Sequence, residues 1–250
     1  MRNLTYEPRP LGTISHMDNK ELKSNKTDYL VSALKASSGI IPGAGPILQE
    51  LISNIIPNQR IDRITDYISI LERKICNVPV ETIKLLLKKE EFISLIEDGF
   101  IQASKSITKE RREYIATVIE NGITKEEIEL LESKHFLYLL SELNDAEIIW
   151  LRYYLGSPTD MENNFREKHI DILSPRGHIS KDSDEKQWTK IAVKESYQEH
   201  LIRLNLIERK AKIDRKTKMP EYDNFGELRT QSPRITTLGK ILLKNIGISE

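Results

Sequence analysis

The residues of this sequence whose types and spacing best suit chemistry are lysines and glutamines near its C-terminal end. Four of them follow one another at steps of three, four and four residues, which places them on one side of a helix. They are Gln187, Lys190, Lys194 and Gln198. A lysine ammonium group contacts phosphate, and a glutamine amide bonds base edges, particularly those of adenine. The spacing therefore predicts a helix face that contacts nucleic acid.

A cluster of basic residues follows that helix. Only Glu208 and Asp214 oppose it locally, and its members are Arg209, Lys210, Lys212, Arg215, Lys216 and Lys218. Phosphate contacts from such a segment predict binding that weakens as salt concentration rises. The alternative is a module that contacts protein or supports the rest of the fold, because solvent-facing lysines are common.

No set of residues predicts an active site. The histidines do not form an H-E-x-x-H motif, and neither a G-x-S-x-G turn nor a P-loop occurs. His169 and Asp171, together with His178, have side chains that ligate metals. Because no complete ligand motif is present, histidines occurring by chance in a polar segment are the favoured interpretation. We therefore predict a protein that is not an enzyme, with no catalytic residues, no metal site and no cofactor.

Composition narrows the class of protein further. Lysine plus arginine equals aspartate plus glutamate at 38 each, which excludes a globally basic nucleic-acid binder but leaves room for a local basic patch. Cys76 is the only cysteine, so an internal disulfide is excluded and a reducing compartment is favoured. The sequence has no run of about 18 apolar residues and no signal-peptide layout at its start. These features predict a cytoplasmic protein without stable membrane insertion.

The elements that must position the basic residues are those of a winged helix-turn-helix. A helical run over residues 187–204 leads into a short apolar strand, a charged hairpin and a second helix that starts near Thr237. Its buried side is predicted to include Trp188, Ile191, Ala192, Leu201 and Leu204. We place this domain at residues 143–250, with a helix capped by Asn144 and a loop-rich insertion at about 157–185.

Apolar residues at helical spacing dominate the chain before that domain. We predict a helical bundle over residues 27–142, preceded by a polar N-terminal arm at 1–26. Within the bundle one helix is expected over residues 81–106, and the next is capped by Thr108 and ended by Gly122. The fold class is thus mostly α, and the winged helix contains the only sheet.

Residues 46–56 form the cleanest apolar helix face in the sequence, between glycine and proline breaks. A buried bundle helix is the favoured interpretation, because no lysine or arginine on its polar face would attract anionic lipid. The alternative function is an interaction or membrane-active effector that acts through this helix on a membrane or a protein partner. We also predict a homodimer formed through the bundle, with residues 55–56 or 139–143 as the contact.

Two patterns resemble known bacterial proteins. Residues 197–207 and 235–243 are similar to the end of many winged-helix proteins, where L-x-x-L-G-L-I precedes the wing and I/L-T-x-L-G follows it. Asn205 replaces the usual glycine, and asparagine also tolerates left-handed backbone geometry. With I-P-x-x-G-P and I-P-N-Q-R before a helical bundle, residues 37–250 resemble the abortive-infection alpha (Abi-alpha) type proteins. The resemblance implies defence against phage, and transcription regulation is the other role expected of a module that contacts duplex DNA or other nucleic acid.

Overall fold

The computed structural model describes residues 60–123, 127–156, 160–173 and 185–248. These ranges are mostly helical and contain one two-stranded antiparallel sheet, which confirms the predicted fold class at that level. The helices are α1 (Ile61–Ile75), α2 (Val80–Leu86), α3 (Glu90–Lys105), α4 (Lys109–Ile123), α5 (Glu127–Glu142), α6 (Asp145–Leu155), α7 (Asp160–Lys168), α8 (Ile170–Leu173), α9 (Glu185–Arg203) and α10 (Thr237–Asn245). The strands are β1 (Ile207–Glu208) and β2 (Arg234–Ile235).

Several predictions concern residues outside the described ranges. They include the N-terminal arm at 1–26, the part of the bundle before residue 60, the apolar helix at 46–56, and the ligand candidate His178. Among the described residues, no helix has the length and apolar character needed to cross a membrane.

Helix α4 lies at the centre of the bundle and packs against α1, α3 and α5. Its apolar residues include Ile115, Val118 and Ile119, all fully buried. Gly122 lies inside the helix rather than after its end, so the prediction that it terminates α4 is wrong. The reason is packing: a Cβ at this position would lie 2.8 Å from Leu95 Cδ2, so the glycine lets α3 approach closely.

The helix predicted over residues 81–106 is broken, because α2 ends at Leu86 and α3 begins at Glu90. Ile83 and Phe92 are both buried. They are nine residues apart, or about two and a half helical turns, so an unbroken helix would direct them to opposite sides. The break lets both reach one core, at the cost of the hydrogen bonds of a continuous helix.

Two adjacent arginines at the start of α4 hold the C-terminal ends of other helices. Arg112 Nε donates to Asp66 Oδ2 at 2.7 Å, and its Nη1 donates to the Ser106 carbonyl at 3.1 Å, just after α3. Arg111 donates through Nη2 to the carbonyls of Leu140 and Leu143, at the end of α5. Helix ends leave carbonyl groups without partners inside the helix, so these guanidinium groups fix α3 and α5 onto α4.

The C-terminal elements share the core of the bundle. Helix α6 packs against α9, α8, α10 and β2, and α10 also packs against α4. Asn121 Nδ2 donates to the Asn245 carbonyl at 3.0 Å across that last contact. The buried apolar residues form one cluster that runs from Ile64 to Ile246. The boundary placed near residue 142 therefore falls within a continuous core, and it stays a prediction.

The N-terminus of α6 links the two parts of the chain. Asn144 Oδ1 accepts from the Glu147 backbone N–H, and Glu147 Oε2 accepts from the Asn144 N–H, both at 2.9 Å. This capping box confirms the predicted cap. The other oxygen of the buried Glu147 carboxylate lies 2.7 Å from His200 Nδ1 on α9. One carboxylate thus holds the cap of α6 and positions α9 beside it.

Two further expectations differ from the structure. The insertion predicted to be loop-rich contains α7 and α8 in its described part. Phe165 and Leu173 are buried there, and their burial holds the segment against the rest of the core. Leu139, Leu140 and Leu143, offered as a dimer contact, are buried in the monomer core. Sequence spacing alone does not distinguish a core stripe from a dimer stripe.

Between β1 and β2 the chain forms a ribbon, residues 209–233, that is more elaborate than the predicted hairpin. Ile207 pairs with Ile235 at its base. Farther out, three short segments are joined in a cycle: the N–H of Lys212 donates to the Arg229 carbonyl, that of Arg229 to Glu221, and that of Glu221 to Lys212. These backbone hydrogen bonds hold the three segments together and thereby fix the ends of the two turns that connect them.

Candidate nucleic-acid interface

The turn after α9 is built as its sequence predicts. Asn205 has φ 58°, which is the left-handed conformation expected at the position where the L-x-x-L-G-L-I pattern has glycine. The Asn205 N–H donates to the Ile202 carbonyl at 2.8 Å, and the Leu206 N–H donates to the Leu201 carbonyl at 2.9 Å. This pair of bonds is a Schellman motif, which ends the helix and directs the chain into β1.

Helix α10 is anchored to the same turn. Thr236 is its N-cap, and the Thr236 Oγ1 accepts from the Gly239 N–H at 3.0 Å. The same hydroxyl donates to the Asn205 carbonyl at 2.7 Å, and the Thr236 N–H donates to the Leu206 carbonyl at 3.0 Å. These bonds explain the T-x-L-G pattern, because Thr236 caps α10 and also joins it to the turn between α9 and β1.

Of the four residues predicted to share one solvent-facing side of α9, the three with described side chains do not all face solvent. Lys190 is exposed, whereas Gln198 is only 6% exposed. Gln198 Nε2 donates to Tyr154 Oη at 2.6 Å, and Lys194 Nζ lies 4.4 Å from the centroid of the Trp150 ring. Both side chains are therefore turned toward α6, and the prediction of a solvent-facing Gln198 is wrong. Gln187 lies in α9, but its side chain is outside the described part of the protein.

The predicted buried side of α9 needs a matching correction. Leu201 is fully buried, as expected, but Trp188 is 50% exposed and Ala192 is also exposed. The stripe that faces α6 instead passes through Lys194 and Gln198. The physical reason is that α6 presents ring faces and a tyrosine hydroxyl, which accept polar partners that an apolar surface would reject.

The six basic residues of the ribbon that were predicted to contact nucleic acid fall into two groups. Three of them are paired with carboxylates: Arg209 with Glu199 at 2.5 Å, Lys210 with Glu208 at 2.9 Å, and Lys212 with Glu221 at 2.8 Å. The other three are Arg215, Lys216 and Lys218, which we call the basic turn. In the described part of the chain, none of these three side chains has an ion pair or a hydrogen bond. The positive charge of the ribbon is therefore least compensated at this turn.

Asp214 shapes the basic turn. Its Oδ1 accepts from the N–H groups of Thr217 at 2.7 Å and Lys216 at 2.8 Å, and also from the Thr217 hydroxyl at 3.1 Å. The hydrogen bonds from Thr217 and Lys216 lower the pKa of the Asp214 carboxyl. Lys218 has φ 59° at the end of the turn. The three cations thus project from a backbone that local hydrogen bonds hold in place.

A cleft lies between α6, α8, α9 and the end of the ribbon, and we call it the aromatic cleft. One end has a volume of about 530 Å³ and is lined chiefly by Trp150, Tyr153, Tyr154, Ile170, Leu173 and Pro233. Its rings are close together: the centroids of Trp150 and Tyr153 are 5.4 Å apart, and those of Tyr153 and Tyr154 are 5.5 Å apart. Lys194 and Gln198 border this end and also a polar extension of about 640 Å³ that reaches Arg209.

The sequence interpretation missed this cleft, although one signal was present. Residues 150–154 carry three aromatic side chains within five positions, more than the core of a short helix needs. In the described residues, no group of three or more histidine, cysteine, aspartate or glutamate side chains is placed to hold a metal ion. His169 instead contacts the Phe165 ring, and burial followed by the nearby Lys168 and Arg152 charges lowers its pKa.

Together these features define a mostly helical protein with a small antiparallel sheet, a basic turn and an aromatic cleft. Comparison with known proteins adds no relative: no family model, no curated protein and no solved structure matches the chain.

Proposed function

We propose that the protein binds duplex nucleic acid through its C-terminal elements, arranged as a winged helix with α9 as the recognition helix. The order α9, β1, ribbon, β2 and α10 supports this arrangement, as does the Schellman turn at Asn205. The observation that carries the proposal is the basic turn, because no carboxylate among the described residues pairs with Arg215, Lys216 or Lys218. Unpaired cations on an ordered turn are the groups that contact phosphate at the least cost.

The contact residues differ from the set expected from sequence alone. Lys190 and Arg203 are exposed on α9 and join the basic turn as phosphate contacts. Arg209, Lys210 and Lys212 already neutralise carboxylates, so they add little to the attraction for phosphate. Gln198 supports the module through Tyr154 rather than reading bases.

The test is the salt dependence of duplex binding, measured by fluorescence anisotropy with a labelled DNA of about 20 base pairs. Neutralising the turn as Arg215→Gln, Lys216→Gln and Lys218→Gln removes three phosphate contacts. We expect the slope of log K against log salt to fall by about 2.7, at about 0.9 for each contact.

A matched control neutralises three exposed lysines far from the ribbon in sequence: Lys88 in the turn between α2 and α3, Lys105 in α3 and Lys109 in α4. This variant has the same net charge as the basic-turn variant, so it separates a local contact from a general charge effect. We expect its slope to equal that of the unaltered protein. Equal losses in the two variants, or no binding by the unaltered protein at about 50 mM salt, would contradict the proposal.

The cellular role rests on the resemblance to abortive-infection alpha proteins, and it is defence against phage. Phage plaque counts on bacteria that express the chain provide the test. We expect fewer plaques with the unaltered protein and normal plaque numbers with the basic-turn variant at equal protein abundance. Unchanged protection by that variant would separate defence from nucleic-acid binding, and altered host transcript levels without protection would favour transcription regulation.

A further inference from the structure

The second turn of the ribbon presents the most exposed large apolar side chain among the described residues. Phe225 is 92% exposed. Asp223 Oδ1 accepts from the N–H groups of Phe225 and Glu227, both at 2.9 Å, and Gly226 has φ 83° directly after the phenylalanine. Local hydrogen bonds therefore hold the phenyl ring out in solvent. We call residues 222–228 the Phe225 turn.

The Phe225 turn has the character of a protein contact. Tyr222 and Leu228, which pair at its base, are exposed as well. Exposed apolar groups that lie together mark sites where a protein meets another molecule. Asp223 and Glu227 place two carboxylates beside the ring, and these repel the phosphates of DNA and of anionic lipids. The apolar ring and its flanking carboxylates therefore suit a protein partner better than an anionic surface.

The aromatic cleft has the complementary shape. Its apolar end, of about 530 Å³, contains rings whose planes meet steeply, at 77° for Trp150 with Tyr153 and 74° for Tyr153 with Tyr154. Ile170 lines this end and is itself exposed. A phenyl ring that enters meets both faces and edges of aromatic rings, an arrangement that such groups favour. Because Phe225 is exposed in its own chain, only another copy can supply it to this cleft.

The borders of the cleft carry positive charge. Lys168 and Arg234 are exposed, and each follows a lining residue in the chain, Glu167 and Pro233 respectively. Within the described ranges, neither cationic side chain has an ion pair or a hydrogen bond. Glu167 supplies one opposing carboxylate, so these exposed groups leave one net positive charge. The count leaves out the cations that already lie over rings of the cleft. The Phe225 turn has two carboxylates and no cation, so the two surfaces attract each other.

We infer that two copies of the chain associate by inserting the Phe225 turn of each into the aromatic cleft of the other. Pro233 ends the ribbon and also lines the cleft, and it lies only eight positions after Phe225. A twofold axis between turn and cleft therefore brings both contacts together in one closed dimer, whereas a one-way contact would build open chains. The inference goes beyond duplex binding, because it uses neither the basic turn nor the exposed lysine of α9.

Light scattering at micromolar concentration tests the contact. The unaltered chain should give a mass near twice 28.9 kDa. Phe225→Ser removes a buried ring from both contacts, so the dissociation constant should rise by at least about a hundredfold, at about tenfold or more for each ring. Ile107→Ser is the matched control, because Ile107 is similarly exposed and lies between α3 and α4, outside the ribbon and the cleft. This control should dimerise like the unaltered chain.

A mixture of two variants gives a sharper test. Ile170→Glu places a charge in the apolar end of the cleft and should also give monomers. When it is mixed with Phe225→Ser protein, the intact turn of one variant can enter the intact cleft of the other, so one of the two contacts survives. We expect the mixed pair to bind more tightly than either variant binds itself, and about tenfold or more weaker than the unaltered dimer. Circular dichroism verifies that each variant is folded.

Glu227→Lys separates a second copy from an anionic partner. The substitution reverses a charge beside Phe225, so it should weaken the dimer several-fold. Binding of duplex DNA, or of phosphatidylcholine vesicles that contain phosphatidylglycerol, would instead be strengthened by the same change. The three measurements on one variant therefore show which partner the Phe225 turn meets.

Each outcome decides the inference. Dimers that are lost in both single variants, restored in their mixture and weakened by Glu227→Lys support it. It is overturned by a mass near 28.9 kDa for the unaltered chain, by dimers that survive Phe225→Ser or Ile170→Glu, or by equal losses in Ile107→Ser. A mixture that associates no better than its components, a dimer that Glu227→Lys does not weaken, or a monomer that binds DNA or vesicles through Phe225 also overturns it. The basic-turn variant should dimerise normally, so failure of duplex binding and failure of the dimer are distinguishable.

Discussion

Gly239→Ala tests whether the contact between α10 and the turn after α9 holds the C-terminal elements together. A Cβ at position 239 would lie 2.3 Å from the Leu206 carbonyl oxygen and 2.8 Å from Ile235 Cγ1. The first of these atoms belongs to the backbone, and it accepts from the Thr236 N–H at 3.0 Å and from the Thr236 hydroxyl at 3.1 Å. A rotamer change cannot relieve the overlap, so α10 must move away.

The size of the effect follows from the bonds that such a movement breaks. Separating α10 from the turn weakens the bonds of Thr236 to the carbonyls of Asn205 and Leu206, each with a net value of about 1 kcal/mol. Overpacking adds about 1–3 kcal/mol, and the better helix propensity of alanine returns at most about 1 kcal/mol. We expect a net loss of roughly 3 kcal/mol in the free energy of unfolding.

Urea unfolding followed by circular dichroism measures this loss, with Gly122→Ala as the matched control. At position 122 the closest atom to a new Cβ is Leu95 Cδ2 at 2.8 Å, the end of a flexible side chain. That side chain can shift, and the gain in helix propensity offsets part of the cost, so we expect a change within about 1 kcal/mol. Equal effects of the two substitutions, or no loss in Gly239→Ala, would refute the close contact as the reason for the glycine.

Three further predictions concern other parts of the protein. The Tyr67 hydroxyl is buried without a hydrogen-bond partner in the described structure, and burial raises its pKa. Tyr67→Phe should therefore leave the free energy of unfolding unchanged or raise it by up to about 1 kcal/mol. A clear loss of stability in urea unfolding would contradict this. The pKa of Asp214 is lowered from its ordinary value of 3.8. The hydrogen bonds that Asp214 accepts from the basic turn should therefore persist at neutral pH and be lost only as the pH falls below 3.8. An NMR titration of the Thr217 amide with a midpoint at or above 3.8 would contradict this. The predicted homodimer should give a light-scattering mass near twice 28.9 kDa at micromolar concentration, whereas a mass near 28.9 kDa would exclude it. Its contact must use a surface other than Leu139, Leu140 and Leu143, which are buried in the monomer.

Local features of this protein were determined by the sequence alone. Asn144 caps α6, Thr236 caps α10, and Asn205 adopts the left-handed geometry that its pattern predicts. Each of these depends on hydrogen bonds within a few residues or on the backbone preference of one residue type, so the neighbouring sequence contains the information needed. The mostly helical class is predictable for the same reason, since apolar spacing reports which period the backbone follows.

Only the tertiary structure decided which faces of those helices meet. Gln198 is buried because the Tyr154 hydroxyl, 44 residues away in sequence, offers it a partner. The helix expected over residues 81–106 breaks because Ile83 and Phe92 must enter one core from opposite sides of a helix. Spacing along a single element cannot report what a distant element presents to it.

Some features of the candidate site also follow from the sequence, whereas others depend on the tertiary structure. The sequence shows six cations near one another, but pairing with Glu199 and Glu221 across the fold is what separates the neutralised ones from the basic turn. The aromatic cleft arises only where α6, α8, α9 and the ribbon come together. The pairs with Glu199 and Glu221 join different segments, and the cleft joins several elements, so both depend on how those segments pack rather than on the spacing within any one of them.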